Sequence, residues 1–566
     1  MKKINTKVLI GIILAIGFLV YINALPNGFV WDDEEQIVKN LVIRDWSNFN
    51  LIFTSSTFNS GGAGLTGGFY RPLVSLFYTF NYHIFGLIPF GFRFSQLVLH
   101  LFNLVLIFFV IKKILDAQKI NFGREIAFLS TILFAVHPIN VESVVYIASI
   151  GEILYSLFLL LAILFFLKER ICFAFLFSFL GLLSKETAII IFPLLAVYCF
   201  LFLKPKLKHW LKYLLYSIIT LGSYFSLRIL IAKISTIYHH VAPISNASFL
   251  ERIQTIPHEI FSYFKLLFFP KDLTISHHFV VNSFSDIRFW GSLIFILLLL
   301  SFFGFILYKT KNKIIAFFGF WFLISLAPAL NIIPLEMTIT ERWMYFPLIG
   351  FLVIFSYLVL SLKQSLGSIW KKIIIIFLTI IIISLFCRTV FRNENWKNGL
   401  TLYGHDILLS KNNYDIENNY GTELFRTGNI DEAGKHFQNS IDSQPNWTYP
   451  HNNLGVVLEN QGQLDKALTE YETAISISDY YLAYQNKGGI LLKMKEYDKA
   501  KTFLIEALNK FPHNPILKYQ LAIIYLKEND KNSATQLLLQ ANQEDPISNQ
   551  IIQLLNAIQK GIKIEI

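Results

Sequence analysis

Two adjacent carboxylates, Asp32 and Asp33, follow the first apolar stretch of the chain in the segment WDDEEQ. A carboxylate beside a membrane can take a proton from a hydroxyl group while that group attacks an electrophile, so either residue could act as a general base. An acidic pair in a short polar loop is equally compatible with plain solvation. We predict Asp33 as the base and Asp32 as the residue that orients substrate or a metal, and linear order alone does not separate the two roles.

Other polar residues also border the apolar stretches. Three are cations that could hold a phosphate group by charge-assisted hydrogen bonds, namely Arg71, Lys185 and Arg342. Five more could support them, namely His137, Glu142, Glu186, Glu341 and Tyr345. Each residue also has a structural explanation, such as a helix cap or an ion pair between sequence neighbours.

The composition is that of a polytopic membrane protein. Hydrophobic residues make up 54% of the chain and charged residues only 15%, and the mean hydropathy is +0.50. The formal net charge of +11 comes mainly from short Lys and Arg clusters between apolar runs, which is typical of cytoplasmic loops and does not indicate nucleic-acid binding. All three cysteines lie inside apolar runs, so the sequence predicts no disulfide framework.

Runs of about 20 apolar residues, enough to cross roughly 30 Å of hydrocarbon, indicate about eleven membrane spans. They lie near residues 8–25, 95–115, 124–138, 141–167, 171–184, 186–203, 213–232, 289–308, 314–333, 343–362 and 373–390. Segments 73–90 and 256–270 look like helices at the membrane interface. The N-terminal stretch lacks a clear small-residue cleavage site, so we interpret it as a retained signal anchor.

The basic clusters predict the orientation of these spans. With the N-terminal lysines inside and the spans alternating, every basic cluster falls in the cytoplasm. This places the first outer loop, residues 26–94 with a flexible stretch at 55–68, and everything after residue 390 outside. The candidate carboxylates and cations then converge on one side, as expected for a water-accessible cavity bordering the membrane.

From about residue 396 the composition changes to that of soluble helices with a repeat of 33 or 34 residues. The repeated positions hold a small residue, then alanine, then a large residue, as in Gly421, Ala433, Phe437 and in Gly455, Ala467, Tyr471. This is the tetratricopeptide pattern, in which small residues let paired helices approach closely. We therefore predict an all-α chain, with a transmembrane helical domain over 1–392 and a tetratricopeptide superhelix over 396–566 whose repeats start near 414, 448, 481 and 515.

The repeats should form a groove of the kind that holds an extended peptide. Its candidate lining is a set of asparagines, Asn418, Asn419, Asn452, Asn453 and Asn486, which could equally be solvated helix surface.

Five segments in order, followed by the repeats, resemble the transmembrane and tetratricopeptide-repeat protein O-mannosyltransferase family, of the GT-C class of glycosyltransferases. They are VWDDEEQI, FYRPLVSLFYTFNYHIFG, FAVHPINVESVVYIASIGEILYSLFLLLAI, LLSKETAIIIFPLL and LAPALNIIPLEMTITERWMYFPLIGF. The chain departs from the family at Ile150, where an arginine is common, so a basic contact is not expected there.

The resemblance implies a GT-C-like membrane domain that transfers a sugar, mannose or another hexose, from a polyprenyl-phosphate donor to a Ser or Thr hydroxyl of an exported protein. One base and no covalent intermediate would give inversion at the anomeric carbon. The implied partners are the donor, membrane lipid and a protein or peptide acceptor in the repeat groove. A divalent cation is compatible with this chemistry, but no ligand spacing assigns a metal site.

Two alternatives remain open at the level of sequence. One is a membrane-anchored repeat scaffold without catalysis, and the other is a GT-C transferase that acts on a lipid or cell-envelope glycan. The absence of exported cysteines and the bias toward Asn, Ile and Lys favour a bacterial inner membrane with the repeats outside the cytoplasm. A eukaryotic chain would instead lie in the endoplasmic reticulum membrane.

Overall fold

The computed structural model describes residues 5–57, 68–234, 241–410, 412–546 and 548–560. These ranges are mainly helical and contain no β-strand, only one antiparallel bridge between His277 and Ile339. The predicted all-α fold is confirmed. The chain divides into two compact units, the first holding residues 1–57 and 67–410 and the second holding mainly 411–566, and each is described by itself.

The first unit contains seventeen α-helices in its described residues. They are α1 Thr6–Tyr21, α2 Phe49–Thr54, α3 Pro72–Phe85, α4 Pro89–Ala117, α5 Gly123–Val136, α6 Val141–Val145, α7 Ile150–Phe166, α8 Ile171–Ser184, α9 Ile191–Tyr198, α10 Leu207–Ser226, α11 Pro243–Asn246, α12 Phe249–Phe268, α13 Ile287–Thr310, α14 Lys313–Leu326, α15 Pro347–Ser365, α16 Ser368–Asn395 and α17 Gly399–Leu409.

Much of this unit has the length and hydropathy of membrane spans. Within the described ranges, eight helical stretches are long and apolar enough to cross a bilayer, and the bent pair Gly123–Val136 and Pro138–Val145 would make a ninth. Two shorter apolar helices, Ile171–Ser184 and Lys313–Ala329, match further predicted spans. This is the architecture of a multi-pass membrane protein.

The predicted continuous span 141–167 is wrong, because the helix is broken at Tyr146. α6 ends at Val145, and Tyr146 takes an extended backbone with φ −75° and ψ 116° before the next helical turn. The break leaves Glu142 of α6 free to accept hydrogen bonds from Thr340 and Arg342, which lie far away in the sequence. Hydropathy does not reveal such a break because the residues on both sides are apolar.

The two segments predicted to lie at the interface form α3 and α12, and neither has the features of a membrane span. α3 begins at Pro72, whose fixed φ and missing amide suit the first turn of a helix. α12 begins with a capping box in which the side chains of Ser248 and Glu251 each bond the other's backbone amide. The predicted flexible stretch 55–68 lies largely outside the described residues.

The second unit consists of helical hairpins followed by one further helix. The pairs are α18 Tyr414–Arg426 with α19 Ile430–Ser443, α20 Thr448–Asn460 with α21 Leu464–Ile477, α22 Tyr481–Lys493 with α23 Tyr497–Lys510, and α24 Pro515–Lys527 with α25 Lys531–Glu544, followed by α26 Asn549–Gln559. A Cβ at Gly455 would lie 2.5 Å from the Tyr471 ring, so the small residue is what allows α20 and α21 to pack. The repeated alanine of α21, Ala467, is fully buried.

Candidate functional site

Asp32 and Asp33 follow a turn at Trp31 and lie in different surroundings. Trp31 has a φ of 54°, a left-handed conformation that is rare for a bulky residue. The amide of Asp33 donates to the Val30 carbonyl at 3.1 Å, and the amide of Val30 donates to the Asp33 carboxylate at 3.1 Å. Asp33 is fully buried, whereas Asp32 keeps accessible surface.

The Asp33 carboxylate is held by the backbone. Its Oδ2 accepts from the Val30 amide, and its Oδ1 accepts from the Ala148 amide at 2.8 Å. Burial raises the pKa of Asp33 to about 7, against the opposing effects of the Arg93 guanidinium and the two amides. Both oxygens of this buried carboxylate accept a hydrogen bond from the backbone, which fixes the loop.

Asp32 faces a different set of groups. Burial raises its pKa, the Tyr146 hydroxyl and the Arg342 guanidinium oppose that rise, and the Glu35 carboxylate adds to it. A carboxylate that stays accessible and has a raised pKa has the properties of a general base. Asp32 is the accessible member of the pair, whereas the sequence analysis predicted the buried Asp33 as the base.

Arg342 lies beside the acidic pair. Its guanidinium carbon is 5.4 Å from the centre of the Trp31 ring, and the guanidinium forms an ion pair with Glu142. The Arg342 amide also donates to Glu142 at 2.8 Å, as does the Thr340 hydroxyl at 2.8 Å. Glu142 is fully buried and holds Arg342 in place, while the Arg342 side chain keeps 19% of its surface exposed.

Stacked aromatic rings support this arrangement. Trp31 stacks on Tyr146 with ring centres 5.3 Å apart, and Tyr146 stacks on Trp396 at 5.4 Å. Trp396 is fully buried just after α16. The stack therefore connects the turn that carries Asp32 with the end of the last long apolar helix.

The other two predicted phosphate-binding cations are also paired. Arg71 forms a two-point ion pair with Glu186, at 2.6 and 3.0 Å, and keeps 20% of its side chain exposed. Lys185 pairs with Glu152 of α7, and both are nearly buried. The sequence also allowed an ion pair between Lys185 and its neighbour Glu186, but each of them has a different partner in the structure. The backbone at Lys185 is extended, so the two side chains point in different directions.

Glu336 is a site residue that the sequence analysis missed. It keeps accessible surface, yet burial raises its pKa, the Asp32 charge raises it further, and Arg342 and Arg71 oppose the rise. Glu336 therefore lies close enough to Asp32, Arg342 and Arg71 for their charges to act on it.

Three further residues of the predicted supporting set contact buried partners. His137 lies 3.1 Å from the Leu267 carbonyl, and the Tyr345 hydroxyl bonds His100 at 2.8 Å inside the helical bundle. Fully buried Glu341 pairs with Arg392 at 3.5 Å, and Arg392 pairs with Asp406 at 3.0 Å. Ile150, where the sequence analysis expected no basic contact, is fully buried and apolar.

The described part of the chain contains no group of three or more His, Cys, Asp or Glu residues that could hold a metal ion. The divalent cation considered from the sequence thus finds no ligand set in those ranges.

Fold and site together define a multi-pass membrane protein with a cluster of charged residues around Asp32 and Arg342, followed by tetratricopeptide repeats. Family models for the tetratricopeptide repeat match residues 491–558 and 450–480. Among solved structures, MamA 41-end from Desulfovibrio magneticus RS-1 is 22% identical and covers 26% of this chain and 86% of that chain, with a TM-score of 0.24, a likeness too weak to interpret.

The chain is similar over most of its length to proteins named protein O-mannosyl-transferases. It is 24% identical to TMTC3 of Homo sapiens, covering 94% of this chain and 67% of that protein, and 24% identical to F38B6.6 of Caenorhabditis elegans, covering 77% and 63%. It is 34% identical to human TMTC1 over 32% of this chain and 22% of that protein. The resemblance found in the sequence is confirmed, and the chain spans about two thirds of the length of the first relatives it matches.

Proposed function

We propose that the protein transfers a sugar, mannose or another hexose, from a polyprenyl-phosphate donor to a Ser or Thr hydroxyl of an exported protein. The observation that carries the proposal is the accessible Asp32 carboxylate, which interacts with the Arg342 guanidinium and, like Arg342 and Arg71, acts on the nearby Glu336 carboxylate. The similarity to proteins named protein O-mannosyl-transferases supports the choice of reaction.

In the proposed reaction, Asp32 takes the proton of the acceptor hydroxyl as its oxygen attacks the anomeric carbon. The bond from that carbon to the phosphate oxygen breaks, and its electron pair leaves with the polyprenyl phosphate. Arg342 and Arg71 stabilise the charge on the leaving phosphate, with Lys185 as a third cation. Their carboxylate partners Glu142, Glu186 and Glu152 hold the cations in position before the donor binds.

Asp33 has a positioning role in this scheme. Its two backbone hydrogen bonds fix the turn that presents Asp32, so the roles predicted from the sequence are exchanged between the two aspartates. Since one base acts and no enzyme carboxylate bonds the sugar, transfer proceeds with inversion. NMR analysis of the glycosidic bond tests this, and a product with retained configuration contradicts it.

The proposal includes the orientation drawn from the basic clusters, with the cavity and the repeats outside the cytoplasm, in a bacterial inner membrane or an endoplasmic reticulum membrane. It also includes the GT-C class for the membrane unit and a repeat unit that recruits the acceptor.

The test is transfer by purified, reconstituted protein. A panel of polyprenyl-phosphate sugars is supplied with Ser- and Thr-containing peptides or with lipid and cell-envelope glycan acceptors. The proposal expects a hexosylated peptide from the wild type and from Asp45→Asn, a matched control because Asp45 is an exposed aspartate of the same loop. Transfer to glycan only, or to no acceptor with any donor, contradicts it.

A further inference from the structure

Arg228 is a buried cation that has no part in the reaction described so far. It lies in a π-helix, Leu227–Ile231, which continues α10 within the apolar stretch Leu207–Ile231, a stretch long enough to cross a membrane. The Arg228 side chain is only 7% exposed, whereas its neighbours Ile229 and Leu230 are 56% and 72% exposed. The arginine therefore points inward from a helix with an apolar outer face, and an ionisable residue in such a position indicates a functional site.

The Arg228 guanidinium bonds two neutral groups. One terminal nitrogen donates to the Tyr224 hydroxyl at 3.4 Å, and the other donates to the Gly68 carbonyl at 3.1 Å. Among the residues that the structure describes, no carboxylate pairs with this guanidinium. A buried cation without an anionic partner is costly, and a guanidinium has five N–H donors, more than these two bonds use. The position therefore suits an anion that accepts from the other donors and balances the charge.

Two contacts bring Arg228 close to Arg71. The Gly68 carbonyl that Arg228 bonds lies three residues before Arg71 in the chain. The ring of Tyr70 is 6.1 Å from the ring of Tyr224, whose hydroxyl is the other partner of Arg228. The Arg71 charge also acts on the Tyr224 hydroxyl. The two arginines thus lie around the same tyrosine.

Arg228 differs in net charge from the cations already assigned to the phosphate. Arg71, Lys185 and Arg342 each pair with a carboxylate, so each of these pairs is neutral as a whole. Within the described ranges Arg228 has no such partner, so it adds a full positive charge. Because the attraction of an anion depends on the net charge that it meets, Arg228 should contribute strongly to anion binding.

We propose that Arg228 binds the phosphate of a lipid that enters the site from the bilayer, and that this lipid is the polyprenyl-phosphate donor. Arg228 lies within one helical turn of the end of the apolar stretch Leu207–Ile231, the level at which lipid phosphates lie. An arginine also presents paired N–H groups that match two oxygens of a phosphate. The identity of the lipid rests on the proposed function, whereas binding itself requires no catalysis.

The experiment measures binding of farnesyl phosphate and of uncharged farnesol to the full-length, detergent-solubilised protein by native mass spectrometry. We expect the wild type to bind the phosphate at least about tenfold more tightly than the alcohol. Arg228→Gln should reduce this preference to about threefold or less and leave the affinity for farnesol unchanged. A merely structural role would weaken the binding of both ligands alike, so the ratio of the two affinities reports contact with the phosphate.

Matched variants locate the contact. Arg252→Gln is the control, because Arg252 also bonds a backbone carbonyl, that of Ala247 at 2.6 Å, and it should keep the preference. Tyr224→Phe removes the hydroxyl that Arg228 bonds but keeps the charge, so it should also keep the preference. A wild type without the preference, or a folded Arg228→Gln protein that retains it, overturns the proposal.

A second measurement decides if Arg228→Gln does not fold. Farnesyl phosphate that carries a photoreactive diazirine should label the wild type within the stretch Leu207–Ile231. Labelling confined to other parts of the chain overturns the proposal.

Competition identifies the source of the phosphate. Inorganic phosphate or phosphatidylglycerol, each at the concentration of farnesyl phosphate, should displace little of it. Displacement of half of the bound farnesyl phosphate by either compound overturns the assignment to a prenyl phosphate.

The outcomes also separate this proposal from the proposed function. Asp32→Asn should bind farnesyl phosphate as tightly as the wild type while failing in sugar transfer. If the wild type transfers no sugar but shows a preference that depends on Arg228, the proposed function fails and the phosphate site stands. If the wild type transfers sugar and the preference survives in Arg228→Gln, the phosphate site fails and the proposed function stands.

Discussion

The backbone amide of Ala148 donates a 2.8 Å hydrogen bond to the carboxylate of Asp33, although the two residues are 115 positions apart in the sequence. This bond fastens the first loop after α1 to the helix break that precedes α7. Asp32, one residue earlier, has its own environment and stays accessible.

Asp33→Ala should lower the free energy of unfolding, because it leaves the Val30 and Ala148 amides without their acceptor. Each unsatisfied buried amide costs about 1–3 kcal/mol. Unfolding midpoints in detergent measure the effect. Asp32→Ala is the matched comparison and should lower stability less, because the Asp32 side chain keeps accessible surface and accepts no backbone amide. Equal destabilisation by the two variants would refute the separation of their roles.

The contribution of Asp33 to stability should depend on pH. Its pKa is raised to about 7 in the folded protein from an ordinary value near 4, so between these values the folded state binds more protons than the unfolded state. The free energy of unfolding therefore falls as pH rises from about 4 to 7, by an amount on the order of a few kcal/mol. Comparing unfolding midpoints of the wild type and Asp33→Asn across this range measures the effect. A wild-type slope equal to that of the variant contradicts the raised pKa.

Glu142→Ala should destabilise the first unit by about 3–5 kcal/mol, because it leaves Arg342 without its buried partner. Arg342→Lys keeps the charge and loses the planar contacts, so it should fold better than Glu142→Ala and still transfer sugar more slowly than the wild type. Chemical unfolding and initial rates, measured on the same preparations, separate the two effects. Wild-type stability in Glu142→Ala would show that the pair does not hold the site together.

Gly350→Ala tests the packing of α14 against α15. A Cβ at Gly350 would lie 2.6 Å from the Phe318 carbonyl oxygen and 2.9 Å from the Phe322 amide, and backbone atoms cannot yield without moving a helix. We expect a loss of about 1–3 kcal/mol in stability. Gly304→Ala is the control, since nothing lies within 4 Å of the added Cβ. If both variants unfold alike, the close helix contact is absent.

Much of the architecture could be predicted from the sequence because its signals are local. Hydropathy indicates the apolar helices, and a period of 33 or 34 residues indicates the repeats. α18, α20, α22 and α24 begin at Tyr414, Thr448, Tyr481 and Pro515. The boundary between the two units is harder to predict from the sequence. The helix α17 belongs to the first unit, although its composition resembles that of the repeats.

The candidate site was only partly predictable. Asp32, Arg71 and Arg342 are conspicuous as charges beside apolar runs, but their partners depend on tertiary contacts. Glu152 stands within an apolar helix and Glu336 in an irregular segment, so neither follows a periodic pattern that would link it to the site. The roles of Asp32 and Asp33 depend on the left-handed turn at Trp31, and no sequence pattern predicts that turn for tryptophan.

The central claim is that Asp32 takes the acceptor proton. Its most direct test is the initial rate of sugar transfer from a polyprenyl-phosphate donor to a Ser/Thr peptide by Asp32→Asn, compared with Asp45→Asn and the wild type. The account predicts a loss of about 10²–10⁴-fold in rate for Asp32→Asn with normal folding, as expected on removal of a general base, and an unchanged rate for Asp45→Asn. A folded Asp32→Asn protein that transfers sugar at the wild-type rate would contradict it.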